Sequence, residues 1–270
     1  MRQALKLIVD YQTNMDKKPL VHLEQVSKQF GKGPVILDNI NLEIQRGDLI
    51  ALIGPSGCGK STLLKLIANL IPASSGNINV GGGSAESARE KLGYVFQDAN
   101  LLPWATAADN ITLPLKLKRF SRNQKYKIAR KLLSLVGLQH AADHYPRQLS
   151  GGMRMRVSIA RALSTQPELL LLDEPFGALD EMTRDDLNEE LLKLRLVQKW
   201  TGVFVTHSVT EAVFLSSSIL VMSANPGRIY QEIPVEFPYP RTAETRREPE
   251  FQQKVMQVTE ALHSLREPIR

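Results

Sequence analysis

"GPSGCGKSTLLKLIANL", Gly54–Leu70, places three glycines and a lysine immediately before a leucine-rich helical pattern. Gly54, Gly59, Lys60 and Ser61 satisfy the spacing G-x-x-x-x-G-K-[ST]. Glycines let backbone N–H groups turn inward around phosphate oxygens, and the N-terminus of the following helix adds its positive dipole end. Lys60 supplies charge to the outer phosphates, and the Ser61 hydroxyl offers a ligand to Mg²⁺, an ion that prefers oxygen donors. Pro55, Ser56, Gly57, Cys58 and Thr62 complete the cradle; Cys58 reads as a small spectator within it.

Such a loop needs a strand before it and a helix after it. "DLIALIG", Asp48–Gly54, is a continuous apolar run of the kind expected for a buried parallel strand, and Ser61–Leu70 reads as helix. Upstream, Ile40, Leu42 and Ile44 alternate with Asn39, Asn41 and Glu43, the period of a half-buried strand ending at the turn "QRGD". Further buried strands are expected at Leu169–Leu172, Val203–Thr206 and Ile219–Met222. Between about Asp98 and Ser164 helical patterns take over, with Ile128, Leu132 and Leu135 on one face and Leu133 and Val136 beside it. The expected architecture is α/β: a P-loop NTPase core with an N-terminal antiparallel β region and an inserted helical lobe at about 98–164. Residues 1–18 read as an extension, with Met15 as an alternative start, 19–230 as the ATPase domain, and 231–270 as a tail. In that tail Phe251, Val255, Val258, Leu262 and Leu265 mark an amphipathic helix, expected to pack on its own core. Leu187, Leu191 and Leu194 mark the buried stripe of another helix, Glu181–Lys199.

An acidic group must face the loop across the sheet. "PELLLLDEP" ends a buried strand with Asp173 and Glu174, adjacent carboxylates that point to opposite sides of an extended chain. One can hold the water shell of a magnesium ion while the other polarises an attacking water. "LSGG", Leu149–Gly152, precedes a helix, so Ser150 stands at the cap and its N–H groups form a second anion site with Gly151 and Gly152. These two sites lie on different lobes, so one molecule's second site is expected to close over another molecule's nucleotide.

Composition narrows the classes further. The 270 residues are 43% apolar and 23% charged, as in a soluble globular chain with a sizeable core. One cysteine excludes an internal disulfide framework. The longest apolar runs fall far below the roughly 20 residues of a membrane helix. Net charge is +6, and eight basic residues with no acidic one fall between Lys116 and Lys131, a solvated helix face or one turned toward an anionic surface.

Taken in order, "GPSGCGKST", "VFQDANLLPW", "LSGGM", "LLLLDEP", "ALD" and "VTH" resemble the ATP-binding subunit of an ABC transporter, from about Leu20 to Tyr230. The resemblance implies ATP and Mg²⁺ as ligands. It implies that Phe30 of "VSKQFG" stacks on adenine, that Gln97 senses the metal and a permease, and that Asp173 binds Mg²⁺ through water. Glu174 would be the general base, Asp180 would communicate across a dimer, and His207 would contact the γ-phosphate. "QDANLLPW", "PFGALDEMTR" and "NPGRI" are similar to the importer subgroup for nitrate, sulfonates and taurine. Met153 replaces a glutamine that often ends the signature, and Met155 stands where "GGMRQR" is usual; a methionine cannot make an amide's hydrogen bonds. The implied partners are a second copy or a paired ATPase subunit, a separate transmembrane permease that docks near Leu101–Trp104, and indirectly a solute-binding protein. No nucleic acid is expected, and the implied location is peripheral, on the cytoplasmic side of the inner (plasma) membrane. A soluble ABC-type ATPase acting on nucleic acid or ribosomes is the alternative; such chains typically carry a coiled-coil insertion or a second ATPase half, which this sequence lacks. A P-loop kinase leaves "LSGG" and His207 unexplained.

Overall fold

The computed structural model describes residues 18–82 and 91–265, so all of the expected N-terminal extension except Lys18 lies outside the described residues. β3 (Leu49–Ile53) is buried along its whole length. It sits inside a six-stranded sheet of order β5-β6-β7-β3-β8-β9, where β5 is Leu92–Val95, β6 Leu169–Asp173, β7 Thr201–Val205, β8 Ser218–Met222 and β9 Ile229–Pro234. All neighbours pair in parallel except β8 and β9. A parallel sheet covered on both faces explains the unbroken apolar runs of the sequence. Within each run the period of two persists. Leu49, Ala51 and Ile53, with Leu170, Leu172 and Phe204, face one core, while Ile50, Leu52, Leu169, Leu171 and Val203 face the other.

The second core is closed by an antiparallel sheet of order β2-β1-β4, with β1 at Val21–Gln29, β2 at Val35–Ile44 and β4 at Ser75–Val80. Val21 pairs with Ile44 and Leu23 with Leu42, which aligns the buried face that Ile40, Leu42 and Ile44 announce. α1 (Lys60–Ile67) lies in this same core through Leu63, Leu64, Leu66 and Ile67.

The stretch after β5 is helical, as the patterning indicates. α2 (Ala107–Leu117) starts at Thr106, whose side chain accepts from the Asp109 N–H. α3 (Arg122–Leu135) starts at a Ser121/Gln124 capping box. Ala129 is buried, Leu132, Leu133 and Val136 belong to the first core, and Ile128 and Leu135 pack against it. α4 (Gly151–Leu163) opens with Ser150 as its cap. It does not stay within a separate lobe: a Cβ on Gly93 of β5 would lie 2.9 Å from the Ala162 carbonyl oxygen. Five of the eight basic residues from Lys116 to Lys131 are carried on α3, where most of their side chains are exposed, and Lys116 pairs with Asp109 at 2.9 Å.

The C-terminal part is integrated into the core. Residue 230 falls inside β9, and α7 (Pro249–Ser264) buries Phe251 and Val258 beside α6 (Val209–Leu215), as its apolar stripe indicates. Arg241, 2% exposed, ties the end of α6 to the segment that follows β9. Its guanidinium donates to the carbonyls of Val213, Phe214 and Ser216 at 2.8–3.1 Å and to those of Val235 and Phe237 at 2.9–3.3 Å, and it lies 4.2 Å from the Tyr239 ring centroid. Five donors in a fixed fork suit five carbonyls as no other side chain does. Arg241→Met is expected to destabilise the fold by about 3 kcal/mol, the cost of stranding several buried acceptors, read as a lower urea midpoint with an unchanged slope.

Candidate functional site

The glycine loop leaves β3 at Gly54 and enters α1 at Gly59. At Gly54 there is no room for a side chain: a Cβ would lie 2.5 Å from the Met222 carbonyl oxygen. Gly59 has φ of +100°, and a Cβ there would lie 2.6 Å from Leu37 Cδ2. Lys60 is buried, and its Nζ donates to the carbonyls of Gly54 and Pro55 at 2.8 and 2.9 Å. Cys58 is buried beneath the loop with its Sγ 3.7 Å from Lys60 Nζ. Above this floor opens a cleft of about 360 Å³ lined by Phe30, Ile36, Ser56, Gly57, Gly59, Lys60, Ser61, Thr62, Glu174 and His207. A cleft bounded by backbone amides, an ammonium and hydroxyls on one side and a carboxylate–imidazole pair on the other fits a phosphorylated ligand.

Asp173 and Glu174 diverge as their adjacency requires. Asp173 ends β6 and is 8% exposed; its Oδ1 accepts from Ser61 Oγ at 2.7 Å and its Oδ2 from the Tyr94 hydroxyl at 3.3 Å. Burial, then the Asp173 charge and hydrogen bond, push the Tyr94 phenol well above its usual range, so it stays a donor. Glu174 turns the other way. With φ of +50° it sits in a region that costs a non-glycine residue about 1–3 kcal/mol. Its backbone is held by its own N–H to the Val205 carbonyl at 3.1 Å and by the Gly177 N–H to its carbonyl at 3.2 Å. The turn sets Glu174 Oε1 2.6 Å from Nε2 of His207, which follows the end of β7.

The other expected residues are placed apart from this cleft or at its rim. Phe30 follows β1, is 51% exposed, and has the Lys28 ammonium 4.7 Å from its ring centroid. Gln97 is exposed just beyond β5, beside the strand that ends in Asp173, and is not among the cleft-lining residues. Ser150, Gly151, Gly152 and Asp180 form a second group. The Ser150 side chain accepts from the Met153 N–H at 3.2 Å, and Asp180 caps α5 (Glu181–Gln198) by accepting from the Thr183 N–H at 3.0 Å. A Cβ on Gly151 would lie 3.5 Å from Leu179 and one on Gly152 2.7 Å from Thr183, so the glycine turn is packed against the Asp180 segment of the same chain. Met155 is buried in the core and Met153 packs against it, so neither presents a polar group at this surface.

Three residues carry the site without a motif. Tyr94 is positioned by the pairing of β5 with β6, opposite Leu171 and near Asp173; only a reading of "LGYV" as a strand finds it. Arg161 donates to the carbonyls of Ala99 and Asn100, both at 2.8 Å, and fully buried Asn110 holds Leu102 and Ala105. Together they fix the loop after Gln97, leaving Trp104 74% exposed at its tip while Leu101 and Leu102 are half-buried.

Known proteins resemble this chain in sequence and fold. The family model described as ABC transporter matches residues 37–177. An aliphatic sulfonates import ATP-binding protein, SsuB, of Bacillus cereus is 45% identical over 240 residues, 88% of this chain and 94% of that protein. An uncharacterized ABC transporter ATP-binding protein of Methanocaldococcus jannaschii is 42% identical over 254 residues, 92% of this chain and 95% of that one. Among solved structures, a dimeric ATP-binding cassette in a post-hydrolysis state with ADP and Pi superposes with a TM-score of 0.70 at 34% identity, covering 81% of this chain and 100% of that one. The CbiO1 protein of Clostridium perfringens, at 24% identity and a TM-score of 0.76, has the same fold over 93% of this chain and 100% of its own. The glycine cradle, the diverging carboxylates and these likenesses together place the chain in the ABC transporter ATP-binding family, as an ATP hydrolase.

Proposed function

We propose that this chain is the ATPase subunit of an ABC importer, acting as a homodimer or with a paired ATPase subunit. It would drive a separate transmembrane permease for a small solute such as nitrate, a sulfonate or taurine. The observation that carries the reading is the pairing of Ser61 with Asp173 and of His207 with Glu174 at one cleft, at 2.7 and 2.6 Å. Similarity to the sulfonate import protein supports the subgroup.

In this reading the N–H groups of Gly57, Gly59, Lys60 and Ser61 hold the phosphates, Thr62 extends the contact, and Phe30 stacks on adenine. Lys60 leaves its carbonyl seat for the outer phosphates. Ser61 Oγ and Asp173 are hard oxygen donors side by side, a set that fits Mg²⁺ in the partial, water-rich coordination it prefers beside phosphates; Gln97 would approach from the end of β5. The ion would neutralise charge on the phosphate oxygens. Glu174 takes the proton of the attacking water, while His207 orients that carboxylate and reaches the γ-phosphate. Ser150, Gly151 and Gly152 of the opposing copy cover the nucleotide from the far side, with Asp180 at the contact between copies.

Among the described residues no helix is long and apolar enough to cross a membrane; in this reading separate membrane-spanning chains carry the solute. The exposed Trp104 on its braced loop suits a docking contact with such a chain, and the location would be peripheral, on the cytoplasmic side of the inner membrane. Affinity capture of the tagged chain from native membranes tests this: a multi-span permease and a solute-binding protein should co-purify. Recovery of ribosomes or DNA-bound proteins alone would overturn the transport role. Glu174→Gln should lower turnover by about 10²- to 10⁴-fold with ATP binding intact, and an ATP-dependent dimer should accumulate on sizing columns. Lys60→Ala should instead abolish tight ATP binding in an equilibrium titration.

A further inference from the structure

Beside His207 lies a buried carboxylate for which the hydrolysis scheme above has no use. Glu211 stands in the first turn of α6 and is 5% exposed. Thr206 donates its hydroxyl proton to Glu211 Oε2, while Thr206 Oγ accepts from the Ser208 N–H at 3.0 Å. Ser208 Oγ in turn accepts from the Glu211 N–H at 3.3 Å. The ring closes around His207, fixing the residue on each side of it.

The chemistry of the ring is directional. Thr206 carries one hydroxyl proton, and with the Ser208 N–H occupying a lone pair of its oxygen that proton is directed to Glu211 Oε2. A glutamine amide could donate to Thr206 and reverse the order. Burial pushes the Glu211 carboxyl up; the Thr206 hydrogen bond, the Arg184 charge and the Asn188 amide pull it back, and the Asp185 charge opposes them. Arg184 also donates to the carbonyls of Leu179 and Phe176 at 2.9 and 3.3 Å, in the segment leading from Glu174 to Asp180. The charge that compensates Glu211 thus holds the other chain segment flanking the carboxylate–imidazole pair.

We propose that Glu211 is a positioning residue for His207: through Thr206 and Ser208 it fixes the turn that presents the imidazole to Glu174. This rests on the role given to His207 in hydrolysis.

The test compares ATPase kinetics and ATP affinity for Glu211→Gln, His207→Ala and the double variant. Glu211→Gln should lower kcat by about tenfold with KM and ATP affinity changed by less than about twofold, the signature of a misplaced group. In the His207→Ala background it should cost nothing further. Should Glu211→Gln fail to fold, Thr206→Val breaks the same link and should give the same loss of kcat. An unchanged kcat, independent losses that multiply in the double variant, or parallel falls in kcat and ATP affinity would each overturn the proposal. A fully active His207→Ala would remove the hydrolysis reading beneath it; an impaired His207→Ala beside an unaffected Glu211→Gln would remove the positioning role alone.

Discussion

Because β3 is buried on both faces and ends at Gly54, its place in the sheet decides where the loop's N–H groups and the N-terminus of α1 point. Its neighbours are β7 and β8, so the chain must cross from one side of β3 to the other between them. Ligands of open α/β sheets collect at the carboxyl ends of strands where the winding direction reverses. Here the Gly54 loop, Asp173 and His207 all leave β3, β6 and β7 from that end. Each buried Leu or Ile of β3 contributes about 1.5–3 kcal/mol relative to exposure, enough to fix the strand and to offset a strained residue nearby.

Glu174 is that residue. Its left-handed backbone would cost an isolated peptide about 1–3 kcal/mol, but β6 before it is wholly buried and its own N–H is bonded to β7. The strain turns the chain between two consecutive carboxylates, so that one meets Ser61 and Tyr94 and the other meets His207.

Most of the core was legible in the sequence because it depends on local pattern. The apolar runs gave β3, β6, β7 and β8, and the cap Ser150 stands where a short polar side chain precedes apolar periodicity. What escaped depends on pairing. β5 is only four residues long, β4 is largely exposed, and the alternation of β1 breaks at Gln25, where φ is +50° and the pairing with β2 slips. Tyr94 enters the site only because β5 lies beside β6, and Arg241 is buried only because β9 and the turn after α6 converge on it. A lone tyrosine or arginine gives no sign of this in one dimension. Gln97, Ser150, Gly151 and Gly152 were named by motif, yet in the single chain they stand outside the cleft that the loop and β-strand ends form.

α4 has a mechanical property that follows from where its two ends lie. Its first residues belong to the glycine turn packed on Leu179 and Thr183, and its last turn abuts Gly93 with no space for a methyl group. Thirteen helical residues make a stiff rod of about 20 Å. The helix between its two ends is buried as well, through Met155, Val157, Ile159 and Ala160, so the turn and β5 are held at a fixed separation. Its far end lies next to the strand that leads into Gln97 and carries Tyr94, so one rigid element spans from the glycine turn to the neighbourhood of the carboxylates.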